Sequence, residues 1–257
     1  MDINRIIHIA ANAGRIILEN GGETYRAEET INRICSSYDL TESECFVTPS
    51  IIIVSAAGNF GQSISVIKRI NNRTINLEKI IQINDLSRNI KAMGYSLEAI
   101  ENKLDSIDLI KPYEMKFMVL ASSIAAGCLT LAFGGDIKDM LVAAVAGGIM
   151  KLLIDFLYTL KANEFFINIF GGFTATLICL AGIKLNLATH MDKVTIGALM
   201  LLVPGLAITN AIRDTIAGDL ISGIMRAVEA FLIAIAVAVG SGIVFKLWFT
   251  MFGGISL

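Results

Sequence analysis

With 257 residues, 54% of them hydrophobic and only 17% charged, and a mean hydropathy of +0.67, the chain is too apolar for an ordinary soluble domain and reads as a membrane protein. A net charge of −2 without a basic patch excludes nucleic acid as an expected partner. The four cysteines, Cys35, Cys45, Cys128 and Cys179, have neither CxxC nor Cys/His metal spacing, so they are expected to be reduced and structural, with no metal or cofactor.

The charge is divided unevenly. Residues 1–114 carry 12 Lys/Arg and 15 Asp/Glu, whereas residues 115–257 carry 9 and 8 among mostly apolar side chains. A cytosolic α+β domain over 1–111 is therefore expected, followed by a five-helix α-helical transmembrane domain over 112–257. Lys111-Pro112 marks the boundary. The start MDINRIIHIAANAGRIILEN lacks a charged-then-apolar signal pattern, which places the front domain in the cytoplasm.

In chain order, Ile3, Ile6, Ile7, Ala10, Ile17 and Leu18 form one stripe of an amphipathic helix over 2–19, ended by Gly21-Gly22. Thr24 is placed to cap a second helix over 25–38, with Glu28 and Glu29 near its positive end. A β-hairpin is expected from 45–56 and 61–69, turning at Gly58-Asn59. A helix over 77–93 stops at Gly94, and Ser96 starts another to about 107.

Five apolar segments follow, at 115–133, 140–158, 165–183, 194–212 and 227–249. Each is close to the roughly 20 residues that cross a bilayer core of about 30 Å. A charged stretch, 213–226, joins the last two. With the front domain inside, five spans put the C-terminus outside; the flanking Lys and Arg, five inside and four outside, add little. Ala230, Ala234, Ala238 and Gly242 repeat every four residues, a ladder that serves either intrachain packing or a partner subunit.

Several groups could carry chemistry. Pro204-Gly205 breaks or kinks the fourth span, and a broken helix can offer backbone groups to a small polar solute. Lys151 and Asp155, four apart in the second span, could pair, hold a substrate charge or move a proton. Asn210, Arg213 and Asp214 continue beyond the break, as transport groups or as solvated loop charges. Glu23, Arg26 and Glu28 could suggest paired carboxylates for hydrolysis, but no nucleophile–base arrangement accompanies them. His8 and His190 read as structural or surface residues. Nothing resembles a P-loop.

These residues carry a resemblance. ENGGETYRAEET (19–30), VTPSIII (47–53), NRTINLEKI (72–80) and LVPGLAITNAIRDTIAGDLISGIMRAVEA (202–230) are similar to motifs of the threonine/serine exporter family, specifically the larger half of its split, two-component form. The resemblance implies an inner-membrane secondary transporter exporting small polar metabolites, threonine and serine or a dicarboxylate such as succinate. It also implies a separate small membrane partner of four or five spans. The family motif falls on Pro204, Gly205, Asn210, Arg213, Asp214, Gly218, Asp219, Gly223, Arg226 and Glu229, on Gly22, Glu23 and Arg26, and on Arg73 and Asn76.

The reading is thus an exporter subunit in the lipid bilayer. Substrate passes Arg213, Asp214 and Asp219 and binds beside the Pro204-Gly205 break. Lys151 or Arg213 holds its carboxylate, and Asp155 or Asp214 couples a proton. Two rivals stand beside it: a membrane-tethered hydrolase acting through the front domain, and a non-transporting scaffold in a homo- or hetero-oligomer.

Overall fold

A computed structural model describes residues 2–40, 42–57, 63–71 and 73–252. The chain is mostly helical, with a small three-stranded sheet in its N-terminal region. By internal contacts it divides into two units, Met1–Pro112 with Leu206–Val228, and Tyr113–Gly205 with Glu229–Leu257.

The first unit runs α1 (Ile3–Glu19), α2 (Thr24–Ser37), β1 (Ser43–Val47), β2 (Ile51–Ala57), β3 (Ser63–Arg69), α3 (Leu77–Met93) and α4 (Leu97–Asp108). The apolar stripe of α1 is buried from Ile6 onward, with Ile3 partly buried, and Ile6, Ile7, Ile16 and Ile17 join Ile31, Ile52, Ile83, Ile100 and Leu104 in one core. Gly94 ends α3 in the left-handed region, and the Ser96 side chain accepts the Ala99 N–H at the start of α4.

Two expectations for this unit change. The strand expected over 45–56 is two strands, β1 and β2, giving an antiparallel sheet of order β1-β2-β3. Pro49 has no N–H to give a ladder, and the Thr48 hydroxyl oxygen accepts from the N–H groups of Ser50 and Ile51, which turns the chain. The Gly58-Asn59 turn lies outside the described residues. Thr24, expected to cap α2, is its first residue; Glu23 holds the cap position without a side-chain cap bond. The Thr24 hydroxyl is engaged elsewhere, as described below.

The second unit contains α5 (Met115–Ala132), α6 (Ile137–Thr159), α7 (Glu164–Lys184) and α8 (Met191–Leu199), which runs on as a 3-10 turn, Met200–Leu202. Its core is built from small residues, among them Ala126, Ala143, Ala146, Ala175, Cys179 and Ala198. Larger apolar side chains such as Phe117, Leu120, Leu141 and Phe156 point outward, the arrangement suited to a lipid solvent, where small residues let helices approach. Contacts are correspondingly close. A Cβ on Gly240 would stand 2.0 Å from the Ile169 carbonyl oxygen, and one on Gly197 would stand 2.0 Å from the Thr130 hydroxyl.

The last helices are α9 (Gly205–Ile216) and α10 (Leu220–Phe252). Among the described residues four helices, α5, α6, α7 and α10, are long and apolar enough to cross a membrane. The count is five if the pair 191–202 and 205–216, bent by 58°, is one broken span. The break falls where Pro204 predicts it: helix ends at Leu202 and Val203 is extended. The charged stretch 213–226 is not a solvated loop. It is the end of α9, a short turn and the start of α10, with Asp214 and Arg226 buried, as is Asn210 just before it.

Intrachain packing does not account for the small-residue ladder. Ala230 is buried, but Ala234, Ala238 and Gly242 are exposed, and a Cβ on Gly242 would meet nothing within 4 Å.

Candidate functional site

The site grows from the turn between α1 and α2. The Gly22 N–H donates to the Ile17 carbonyl, and a Cβ there would lie 2.3 Å from the Ile17 side chain, so only glycine follows this path. Residues after β3 support the turn from one side. The Thr74 N–H donates to Glu19 O, and the Asn76 N–H donates to Asn20 O while the Asn76 side chain caps α3 at Lys79. Arg73 donates to Pro49 O and Ser50 Oγ, tying in the turn that precedes β2. Asn72, the first residue of this motif, lies outside the described residues.

The α9–α10 hairpin supports the turn from the other side. Gly218, at φ +95°, closes α9: its N–H donates to Thr215 O, and the Asp219 N–H donates to Asp214 O, the Schellman pattern. Asp219 then accepts the Ser222 N–H and caps α10. Gly223 lets the two helices touch, since a Cβ there would stand 2.1 Å from Thr215 Oγ1. Gly223→Val should therefore spread the hairpin and cost about 1–3 kcal/mol, measured as a lowered thermal midpoint of the purified protein. An unchanged midpoint would show that the close approach is not required.

Between these supports lies a charged network. Asp214 is fully buried; its Oδ1 accepts the Thr24 N–H at 3.3 Å and its Oδ2 the Thr24 hydroxyl at 3.0 Å. The carboxylate of α9 thus serves as the N-terminal cap of α2, where unsatisfied N–H groups and the helix dipole favour negative charge. Arg226 pairs with Asp214 at 3.0 Å and donates to Gly22 O at 2.7 Å. Asn210 donates to Gly21 O at 3.0 Å.

Two guanidiniums meet on Glu23, whose side chain is only 9% exposed: Arg26 at 2.7 Å and Arg213 at 2.6 Å. Burial pushes the Glu23 carboxyl up, but bonds from Arg26, its own N–H and Arg213 outweigh it and hold its pKa below the usual glutamate value. Arg213 keeps 54% of its side chain exposed, so it remains open to a further anion. One turn along α2, Glu28 accepts the Val47 N–H; burial, then the Asp219 and Asp214 charges, hold its carboxyl above the usual range.

The expected residues are therefore sorted. Gly22, Glu23, Arg26, Asn210, Arg213, Asp214 and Arg226 converge on one network. Gly218, Asp219 and Gly223 shape the hairpin that carries it, and Arg73 and Asn76 brace it. Thr24 was missed, because nothing in its local sequence points to a carboxylate 190 residues away.

Lys151 and Asp155 are half-buried on α6, and among the described residues they form no ion pair with each other. Pro204 is half-buried, Gly205 exposed and Glu229 half-buried on α10. Also in the second unit, the Asp136, Asp139 and His190 ligand atoms lie within 4.8 Å of one another. The Asp139 oxygens already accept the N–H groups of Asp136, Thr189 and His190 together with His190 Nδ1, so the cluster reads as a hydrogen-bonded staple.

Comparison with known proteins agrees with the motifs. The chain is 21% identical over 238 residues to a "Probable threonine/serine exporter" of Mycobacterium tuberculosis, covering 92% of this chain and 45% of that protein. It is 22% identical over 247 residues to the "Threonine/serine exporter" of Corynebacterium glutamicum, covering 93% and 50%. The chain thus spans about half the length of these exporters. To the "Probable succinate transporter subunit YjjP" of Escherichia coli it is 20% identical over 246 residues, covering 95% and 94%. No solved structure matches. The threonine/serine exporter family model matches residues 8–248, nearly the whole of the described chain, and the protein belongs to that family.

Proposed function

We propose that this chain is one subunit of a secondary exporter for small carboxylate-bearing metabolites, either hydroxyl amino acids or a dicarboxylate such as succinate. The network at the α1–α2 turn is the observation that carries it: family-motif residues from both ends of the chain meet there, and Arg213 presents a half-exposed guanidinium. Arg213 receives the substrate carboxylate. Asp214, which caps α2 and pairs with Arg226, holds α9 in place. Lys151 and Asp155 line the membrane part of the route and carry charge or a proton across it.

Membrane parity supports the sidedness expected from the sequence. Helices α5, α6, α7 and the broken α8–α9 pair make four crossings, and α10 is the fifth. Five crossings put the C-terminus on the side opposite the front region, which the sequence reading holds to be cytoplasmic. A partner subunit fits the length comparison, because the relative of similar length is named as a subunit and the exporters are about twice as long. The exposed Ala234, Ala238 and Gly242 suit close approach of its helix.

The test is efflux of labelled threonine, serine and succinate from cells expressing this chain with and without a candidate four- or five-span partner. Efflux of at least one solute should require both proteins. Arg213→Gln should reduce it about tenfold or more, as expected when a charge-assisted bond to a carboxylate is lost. Normal efflux by Arg213→Gln would remove Arg213 from the substrate path. Absence of flux for all three solutes, with both proteins folded, would sink the carboxylate reading.

A further inference from the structure

Away from the Glu23 network, α3, α4 and Tyr95 between them line an open groove of about 320 Å³. That volume is at the small end of the roughly 300–1,000 Å³ typical of metabolite sites. Its floor is apolar, made by the buried Leu86 and Ile107. The two walls differ in chemistry.

The α3 wall is a row of acceptors. Gln82, Asp85 and Asn89 follow one helical stripe at i, i+3 and i+7. The Gln82 amide N–H donates to Glu78 and the Asn89 amide N–H to the Asp85 carbonyl, which leaves both amide oxygens as acceptors beside the Asp85 carboxylate. From α4 comes Lys103, whose ammonium sits 4.7 Å from the centre of the Tyr95 ring. Tyr95 is itself anchored, its carbonyl accepting the Tyr38 hydroxyl at 2.8 Å. Among the described residues neither Asp85 nor Lys103 makes an ion pair, although each faces the same groove.

We infer that this groove binds a free α-amino acid as a zwitterion. The Asp85 carboxylate, flanked by the Gln82 and Asn89 oxygens, takes the ammonium, Lys103 takes the carboxylate, and the side chain rests on Leu86 and Ile107. Opposite charges on facing walls select for a ligand that carries both signs. A dicarboxylate would meet Asp85 as a like charge, and a simple amine would leave Lys103 without an anion. The site is independent of the transport reading, since it shares no residue with the network.

Calorimetric titration of the purified full-length chain with each of the twenty amino acids tests this, with succinate and ethanolamine as controls. At least one amino acid should bind saturably, and neither control should match it. Asp85→Asn and Lys103→Gln should each weaken binding about tenfold or more, the effect of one charge-assisted bond. Both groove positions are exposed, so these variants should melt with the parent protein. Binding that survives both groove variants, or no saturable binding by any amino acid, would overturn the assignment.

Discussion

Replacing Asp214 with alanine should destabilise the protein by about 3–5 kcal/mol, the usual effect of removing one partner from a buried ion pair. Arg226, mostly buried, would keep its charge and its bond to Gly22 O but lose its carboxylate. The first N–H of α2 and the Thr24 hydroxyl would lose their acceptor at the same time. Asp214→Asn should be milder, about 1–3 kcal/mol, because an amide oxygen can still accept from Thr24. The decisive comparison is the double variant Asp214→Ala with Arg226→Met. Removing both charges should recover part of the loss, since the guanidinium that faced the lost carboxylate goes with it. Thermal midpoints of the four purified proteins give the coupling. If Asp214→Ala melts with the parent, or the double variant falls by the sum of the singles, the pair is not a structural unit.

In the second unit, Asp139→Ala should have an effect of similar size, about 3–5 kcal/mol. Asp139 is fully buried at the start of α6, and its Oδ1 takes the Thr189 and His190 N–H groups at 2.7 and 3.0 Å. Its Oδ2 takes the Asp136 N–H at 3.0 Å and His190 Nδ1 at 2.7 Å. One carboxylate therefore joins the α5–α6 turn to the connection between α7 and α8. Without it several N–H groups lose their acceptor together, and bonds to charged groups contribute about 1.5–3 kcal/mol each without adding fully. Asp139→Asn should keep the Oδ1 bonds and fall by less. Limited proteolysis reads the same change locally: cleavage within 185–190 should accelerate in Asp139→Ala. Equal cleavage rates would mean the connection is held by other contacts.

The elements most legible in the sequence were those with a strong local signal. The isoleucine stripe of α1, the Gly94 stop, the Ser96 cap and the Pro204 break each follow from residues within one or two turns of the feature. The division of the 45–56 strand was also available, because Thr48-Pro49 is a turn signal inside an apolar run. The helical nature of 213–226 was hidden by its charge, although Gly218-Asp219 is a helix stop followed directly by a helix start. What no local pattern can supply is the pairing of partners. Asp214 looks the same in sequence whether it faces water or caps α2. The resemblance collected these residues, but only the fold assigns Gly218 and Asp219 to the turn and Asp214 and Arg226 to the buried pair. For the α10 ladder, periodicity identified the small residues and left open which way they face.

The cap that Asp214 supplies to α2 has a consequence for biogenesis. Thr24 and Asp214 are 190 positions apart, so the N-terminus of α2 stays uncapped until most of the chain has been made. At about 5–20 residues per second, the interval is about 10–40 s. During that time α5, α6, α7 and α8 emerge before the segment that completes the first unit. A ribosome-bound or truncated product ending near residue 112 holds the α1–α2 turn with its Gly21 and Gly22 carbonyls and its α2 N–H groups unmet by Asn210, Arg226 and Asp214. The last residues of this first unit, among them Asn210, Asp214 and Arg226, are made only after α5, α6, α7 and α8.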